Sequence, residues 1–151
     1  MADKLRFGII GCGRVSPKHV EALVNNFSKA ELVALCDLQE EKAHELKHRY
    51  AEQLETKGFD VLEITTYTDY LQMLSRPDID VVSIATYSGT HARIALDAMQ
   101  AGKHVIVEKP MALSTVDAQQ MIDVAKTTGR KLTVCHQNRF NPPVRKLREA
   151  L

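Results

Sequence analysis

The stretch LRFGIIGCGRVSPKHVEALVNNF, residues 5–27, carries the clearest indication of the fold class. Its first part, residues 5–10, is an apolar run of the length that predicts a buried β-strand. From about Pro17 onward the spacing i, i+3, i+4 and i+7 predicts an amphipathic helix. The apolar residues at this spacing are Val20, Leu23, Val24 and Phe27. Gly11 and Gly13 lie between the two elements, so the stretch has the strand, glycine turn and helix that open a parallel α/β sheet.

Short β-branched runs and longer segments of helical period alternate along the rest of the chain. Further strands are expected at residues 32–36, 64–67, 81–85, 104–107 and 132–135. Helices are expected after residue 40, at 68–74, before Gly102, from Ser114 to Gly129, and from 144 to 151. The predicted buried stripes of two of these helices are Ala43, Leu46, Tyr50 and Leu54, and Ala118, Met121, Ile122 and Ala125. The predicted fold class is therefore α/β, a Rossmann-type doubly wound parallel sheet of about six strands with helices on both faces.

Composition limits the classes of partner. The 151 residues are 44% hydrophobic, enough for one buried core, and the net charge of +1 gives no basic field for nucleic acid or anionic membranes. No stretch has the length of a membrane span, and the first residues lack the pattern of a secretory signal. Three cysteines scattered along the chain suit reduced, buried thiols, so we expect a cytoplasmic protein without nucleic-acid or membrane partners.

The turn after the first strand, residues 11–16, has the context of a dinucleotide-binding loop. Gly11 permits the tight turn, and Gly13 lets a pyrophosphate approach the backbone amides at the start of the helix. Arg14 and Val15 share this loop and are further candidate contacts. Ser16 stands where such loops often carry a third glycine. The alternative is that the glycines only shape the turn.

A carboxylate at the end of the second strand supports the binding interpretation. Asp37 lies 24 residues after Gly13, near the spacing at which an acidic residue holds the adenosine ribose. Glu40 and Glu41 follow it, and negative charge there disfavours a 2′-phosphate. The sequence therefore predicts NAD rather than NADP. The alternative for Asp37 is a helix N-cap.

Polar residues follow the fourth and fifth strands, at the edge where parallel sheets bind ligands. The loop 86–91 contains Thr86, Tyr87 and His91, and the next strand ends at Glu108-Lys109-Pro110. An ammonium group at Lys109 is placed to orient a substrate hydroxyl and to stabilise an alkoxide. The alternative is a solvated surface lysine.

The segment His44-Glu45-Leu46-Lys47-His48 matches the zinc-protease pattern H-E-x-x-H. Both histidines fall on the face opposite the apolar stripe of their helix, and no third ligand follows at a suitable spacing. We therefore expect these histidines to point to solvent and predict no metal in the function of the chain.

The glycine turn, His19, the loop 86–91 and Glu108-Lys109-Pro110 together resemble the glucose-fructose oxidoreductase/inositol dehydrogenase/MocA family along essentially the whole chain. The resemblance implies hydride transfer between NAD(P) and a sugar or cyclitol. It implies that Lys109 is the catalytic lysine and that Glu108 lies beside the nicotinamide ribose. It also implies that the Lys109–Pro110 bond is cis. The candidate cofactor contacts implied by this resemblance are Thr86, Tyr87, His91, Glu108 and Gln137.

The segment 137–143, QNRFNPP, is similar to that of dehydrogenases acting on the 3-hydroxyl of UDP-linked N-acetylglucosaminuronate. This narrower resemblance implies a nucleotide-sugar substrate, with Asn138 and Arg139 as candidate substrate contacts. An inositol or simple-sugar dehydrogenase is the alternative enzyme. A non-catalytic NAD-binding regulatory module is the alternative outside the enzyme class.

The domain expectation follows from the same resemblance. Residues 1–138 are expected to form the NAD-binding domain, and 139–151 to begin a C-terminal domain that continues beyond Leu151. The family's second acid–base residue would lie in that domain, so these 151 residues are expected to bind NAD but to turn over little substrate. The full-length protein is expected to be a homo-oligomer.

Overall fold

A six-stranded sheet forms the centre of the molecule, in a computed structural model that describes residues 4–61 and 63–151. All neighbouring strands are parallel, in the order β3-β2-β1-β4-β5-β6. The strands are β1 Leu5–Ile10, β2 Ala30–Cys36, β3 Thr65–Tyr67, β4 Val81–Ile84, β5 His104–Glu108 and β6 Leu132–Cys135. The predicted Rossmann-type doubly wound fold is confirmed.

Helices cover both faces of the sheet, as predicted. They are α1 Ser16–Asn25, α2 Glu40–Thr56, α3 Tyr70–Leu74, α4 His91–Gln100, α5 Thr115–Thr128 and α6 Pro142–Ala150, with 3-10 turns at Ser88–Thr90 and Gln137–Phe140. One apolar cluster joins α1 and α2 to the sheet, and a second joins α3, α4 and α5 to its other face. The two clusters are the core of the domain.

The predicted stripe of α2 is buried at all four positions, whereas that of α5 is partly wrong. Within α5 only Met121 is fully buried, and Ile122 is 38% exposed. The helix packs against α4 and beside β6, the edge strand, so a narrow face is covered. Ile122 lies about 100° further round the helix than Met121 and falls outside that face.

Both predicted ends of α5 are confirmed. The Ser114 hydroxyl accepts a hydrogen bond from the Asp117 amide at 3.0 Å, which satisfies an N–H group that lacks a helical partner. Gly129 ends the helix at φ +67°, a conformation that favours glycine.

The strand order reverses direction between β1 and β4. The chain runs outward from β1 through β2 to β3, then crosses back to β4 and continues to β6. The helices that follow β1 and β4 therefore lie on opposite faces of the sheet, and the crevice at the carboxyl ends of these two strands is where such sheets bind ligands.

The cysteines agree with the expectation of buried, reduced thiols in two of three cases. Cys12 and Cys36 are buried and Cys135 is half-buried, all without disulfides. Burial raises the pKa of Cys12 and of Cys36 to about 12, so both thiols stay protonated at neutral pH. Within the described residues, no helix is both long and apolar enough to cross a membrane.

Candidate functional site

A cavity of about 500 Å³ opens at the carboxyl ends of β1, β2 and β4. Its wall brings together seven of the candidate residues from the three loops that follow β1, β2 and β4. They are Gly11, Gly13, Arg14, Val15, Asp37, Thr86 and Tyr87. The cavity therefore occupies the crevice that the strand order predicts.

Gly11 is required by the fold itself. Its φ is +92°, and a Cβ there would lie 2.7 Å from the carbonyl carbon and oxygen of Ala85, just past β4. Any side chain would both strain the backbone and collide with the neighbouring loop. The glycine thus lets the loops after β1 and β4 approach each other.

Gly13 has no such structural requirement. A Cβ at Gly13 would meet no protein atom within 4 Å, and its φ lies outside the left-handed range. Yet Gly13 lines the cavity. Its bare backbone therefore leaves open the space that a ligand pressed against the loop would occupy.

The amides next to this open space are unused. Among the hydrogen bonds found in residues 4–61 and 63–151, none is donated by the backbone N–H of Gly13, Arg14 or Val15. Three consecutive free N–H groups at the start of α1 form a strong binding site for an anion such as a phosphate.

Ser16 accounts for the missing third glycine. Its side chain is fully buried, and its hydroxyl donates to the Gly13 carbonyl at 2.7 Å. The hydroxyl therefore fixes the turn from within, where a third glycine would only allow close packing.

Asp37 extends from the end of β2 into the cavity wall. Its Oδ2 accepts from the Cys12 amide at 2.8 Å, and its Oδ1 accepts from the Gln39 amide at 2.9 Å. Gln39, not Asp37, is the N-cap of α2, so the N-cap alternative for Asp37 is wrong. A carboxylate accepts about four hydrogen bonds, and two of those positions remain for ligand hydroxyls.

The charges around Asp37 differ from the sequence expectation. Glu40 and Glu41 do not line the cavity, because they sit on the first turn of α2 with exposed side chains. The remaining charged residues of the wall are basic: Arg14, Lys42 and Arg93. Discrimination against a 2′-phosphate therefore rests on Asp37 alone and not on a cluster of carboxylates.

The loop after β4 divides its candidate residues between two environments. Thr86 and Tyr87 line the cavity, and Tyr87 is 85% exposed. His91 is only 1% exposed, with Nδ1 2.8 Å from the Pro110 carbonyl oxygen and Nε2 3.1 Å from that of Thr86. The ring therefore lies between the two loops, and a contact of His91 with the cofactor stays a prediction.

Glu108 is likewise turned inward. Its Oε1 lies 3.0 Å from His19 Nε2, and His19 Nδ1 lies 2.9 Å from the hydroxyl of buried Ser83. The Cys135 sulfur lies within 4.8 Å of both the carboxylate and the imidazole. Sequence reasoning missed Ser83 and Cys135 here, because only the strand register brings β4, β5 and β6 together.

Lys109 is exposed at the same edge of the sheet and follows β5 directly. Its peptide bond to Pro110 is cis, as the resemblance implied. The lysine does not line the 500 Å³ cavity, which ends at the loop after β4. A catalytic role for Lys109 therefore stays a prediction.

The remaining candidates lie outside the cavity. Gln137, Asn138 and Arg139 form an exposed 3-10 turn after β6, and their roles stay predictions. The side chains of His44 and His48 are 55% and 79% exposed, which confirms that the H-E-x-x-H segment faces solvent.

Comparison with known proteins gives relatives over nearly the whole chain. It is 31% identical over 128 residues to inositol 2-dehydrogenase of Salmonella paratyphi B, covering 85% of this chain and 35% of that enzyme. The WlbA dehydrogenase of Bordetella pertussis, crystallised with NADH and UDP-GlcNAcA, is 32% identical with a TM-score of 0.82. That match covers 98% of this chain and 42% of WlbA.

A third similar structure is myo-inositol dehydrogenase of Lactobacillus casei, in complex with NAD(H) and myo-inositol. It is 28% identical with a TM-score of 0.82, and covers 98% of this chain and 41% of that one. The chain thus spans about two fifths of the length of the enzymes it matches. The model of an oxidoreductase family with an NAD-binding Rossmann fold, GFO_IDH_MocA, matches residues 5–136, and the chain belongs to this family.

Proposed function

We propose that this chain is the NAD-binding domain of a dehydrogenase that oxidises a ring hydroxyl of a sugar or nucleotide sugar. The observation that carries the proposal is the open backbone at Gly13, flanked by unused amides and facing the same cavity as Asp37. The fold does not need a glycine there, whereas a bound pyrophosphate does.

The cavity residues divide between the parts of a dinucleotide. The amides of Gly13, Arg14 and Val15 bind the pyrophosphate, and Asp37 accepts hydrogen bonds from the adenosine ribose. Beyond Asp37, the wall contains Leu38 and Tyr70, apolar and aromatic surfaces suited to a base. NAD is favoured because a 2′-phosphate would lie against the Asp37 carboxylate.

Lys109 carries the chemical part of the proposal. When bound, NAD supplies the hydride acceptor of the reaction. The Lys109 ammonium orients the substrate hydroxyl and stabilises the negative charge that develops on its oxygen. His91 fixes the carbonyl of the adjoining Pro110, which holds this loop against the loop after β4.

Two substrate classes are supported by separate observations. WlbA, with UDP-GlcNAcA in its crystal structure, and the segment 137–143 favour a nucleotide sugar such as UDP-linked N-acetylglucosaminuronate. In that case Asn138 and Arg139 contact the substrate. The inositol 2-dehydrogenase of Salmonella, at 31% identity, supports an inositol or simple-sugar dehydrogenase as the second candidate.

The domain arrangement is part of the same proposal. Residues 1–138 bind the cofactor, and 139–151 begin a C-terminal domain that supplies the substrate site, the second acid–base group and the homo-oligomer contacts. On this proposal the 151 residues alone oxidise little substrate. The place of action is the cytoplasm, where thiols such as Cys12 stay reduced.

The test uses the full-length protein with Lys109→Ala and, as a matched control, Lys126→Ala at an exposed position in the last turn of α5. We expect Lys109→Ala to lower kcat for sugar oxidation at least about 100-fold, the scale of removing one charge-stabilising group. NAD affinity should change less than about twofold, because Lys109 does not line the cavity.

The control variant should keep the wild-type rate and NAD affinity. Unchanged turnover in Lys109→Ala would contradict the catalytic assignment. Retained NAD binding with no oxidation of any sugar, cyclitol or nucleotide sugar by the wild-type protein would favour the regulatory module.

A further inference from the structure

Three different metal-binding side chains converge beside Lys109, outside the cavity. His19 comes from α1, Glu108 from the end of β5 and Cys135 from the end of β6. Their potential ligand atoms, an imidazole nitrogen, a carboxylate oxygen and a thiol sulfur, all lie within 4.8 Å of one another. We propose that these three residues form a binding site for Zn²⁺ or a chemically similar divalent transition metal.

The donor set suits this class of ion. Zinc binds imidazole nitrogen, carboxylate oxygen and thiolate sulfur at about 2.0–2.3 Å in tetrahedral geometry. Ligand atoms in such a site lie on the order of 3.3–3.7 Å apart. His19 Nε2 and Glu108 Oε1 are 3.0 Å apart, so they need to separate by only a few tenths of an ångström. Three protein ligands leave the fourth position for water.

A group outside the three ligands favours metal binding through His19. The hydroxyl of Ser83, 2% exposed, lies 2.9 Å from His19 Nδ1. Without a metal, Nε2–H donates to the Glu108 carboxylate; when a metal takes the place of that proton, the Ser83 hydroxyl can accept from Nδ1–H and hold the ring in the metal-binding tautomer. Metal-binding histidines commonly have such an outer partner for their other nitrogen.

The burial and the charge of the three proposed ligands also suit a divalent cation. The side chains of His19 and Glu108 are 13% and 12% exposed, so water competes little for the ion. Carboxylate and thiolate together carry two negative charges, which balance a divalent cation. Burial and then the charge of Glu108 raise the pKa of the Cys135 thiol to about 11. Binding therefore replaces the thiol proton with the metal and releases that proton to solvent.

The structure also identifies the competing site. His44 and His48 are four residues apart on the exposed face of α2, a spacing that lets two imidazoles share one ion. Their side chains are solvated and lack a cysteine, so a bound metal there would have no sulfur ligand. Sulfur coordination thus distinguishes the two sites.

The experiment is a Co²⁺ titration of the whole chain, followed by absorption spectroscopy, with Zn²⁺ added afterwards. The variants are Cys135→Ser, His19→Gln and, as the control, His44→Ala combined with His48→Ala. We expect one thiolate-to-cobalt charge-transfer band per chain in the wild type, displaced by an equivalent of Zn²⁺. The control variant should keep this band, and Cys135→Ser should lose it. His19→Gln should bind Co²⁺ at least about tenfold more weakly than the wild type.

Circular dichroism identifies variants that fail to fold, and the band in the wild type does not depend on them. Absence of the band in the wild type would overturn the proposal. So would a band that persists in Cys135→Ser or disappears in the control. None of these results depends on NAD binding or on turnover.

Discussion

At the scale of single residues, Gly11 and Gly13 lie two positions apart in one turn but have different surroundings. Gly11 is buried against the Ala85 backbone with a positive φ, whereas the space beside Gly13 is free of protein atoms. The first glycine is therefore required for folding and the second for binding. Substitution by alanine, which adds only a Cβ, separates these two requirements.

Gly11→Ala is expected to lower the free energy of unfolding by more than about 2 kcal/mol, through left-handed strain and a collision with backbone. Gly13→Ala should change it by less than about 0.5 kcal/mol, since nothing is displaced. The same Gly13→Ala change should weaken NAD binding at least tenfold. Urea denaturation and a fluorescence titration with NADH measure both quantities. Equal effects of the two substitutions on stability would contradict this distinction.

At the scale of elements, His91 connects two loops that lie far apart in the chain. It begins α4, and its ring joins the carbonyl of Thr86 after β4 to that of Pro110 after β5. Both carbonyls belong to the edge of the sheet where ligands bind. The histidine thus keeps the cavity wall and the Lys109 loop in a fixed relation.

His91→Phe keeps a ring in place but removes the hydrogen bond that the imidazole donates to the carbonyls of Thr86 and Pro110. We expect a loss of about 1–3 kcal/mol in the free energy of unfolding, the scale of leaving a buried acceptor unpaired. His136→Phe, at an exposed position, is the control and should change stability by less than about 0.5 kcal/mol. A loss below 0.5 kcal/mol in His91→Phe as well, measured by urea denaturation, would rule out the connecting role.

At the scale of the whole molecule, two thiols in the interior make stability depend on pH. Burial is the main cause that raises the pKa of Cys12 and Cys36 from 9.0 to about 12, followed by the charge of Asp37. Above pH 9 the unfolded chain loses these protons while the folded chain keeps them. The stability they contribute is therefore complete below pH 9 and is lost as the pH rises toward 12.

The expected decline is about 1.4 kcal/mol per pH unit for each buried thiol. Cys36→Ala removes one of the two buried thiols. The decline of the free energy of unfolding between pH 9 and 11 should therefore become less steep by about that amount. Urea denaturation of both proteins at several pH values measures the slopes. Parallel declines in the wild type and the variant would show that the thiol does not cause the dependence.

Much of the fold was predictable because its signals are local. A buried parallel strand is an apolar run, a glycine turn follows β1, and α2 repeats its apolar residues at helical spacing. Asp37 was found because its distance from Gly13 along the chain is set by one helix and one strand. Ile122 was wrongly predicted to be buried. The helical spacing of apolar residues shows which face of α5 is apolar, but it does not show how much of that face the neighbouring elements cover.

The missed parts of the site depend on which strands are neighbours. Arg93 reaches the cavity from α4, and Lys42 reaches it from α2, although neither is near Gly13 in the sequence. The contacts of His91 with Thr86 and Pro110, and of Glu108 with His19, join helices to loops and strands that are distant in the sequence. Spacing along the chain carries no information on such contacts until the sheet order is known.

The most direct test is calorimetric titration of NAD into the folded chain, with Asp37→Ala and Glu41→Ala as a matched pair. We predict that one NAD binds per chain. The affinity should be at least about tenfold weaker in Asp37→Ala, which is the scale of losing hydrogen bonds to a charged group. The affinity should not change in Glu41→Ala, because Glu41 lies outside the cavity. No binding of NAD to the folded wild-type chain at millimolar concentration, or equal affinity in both variants, would contradict the proposed binding site.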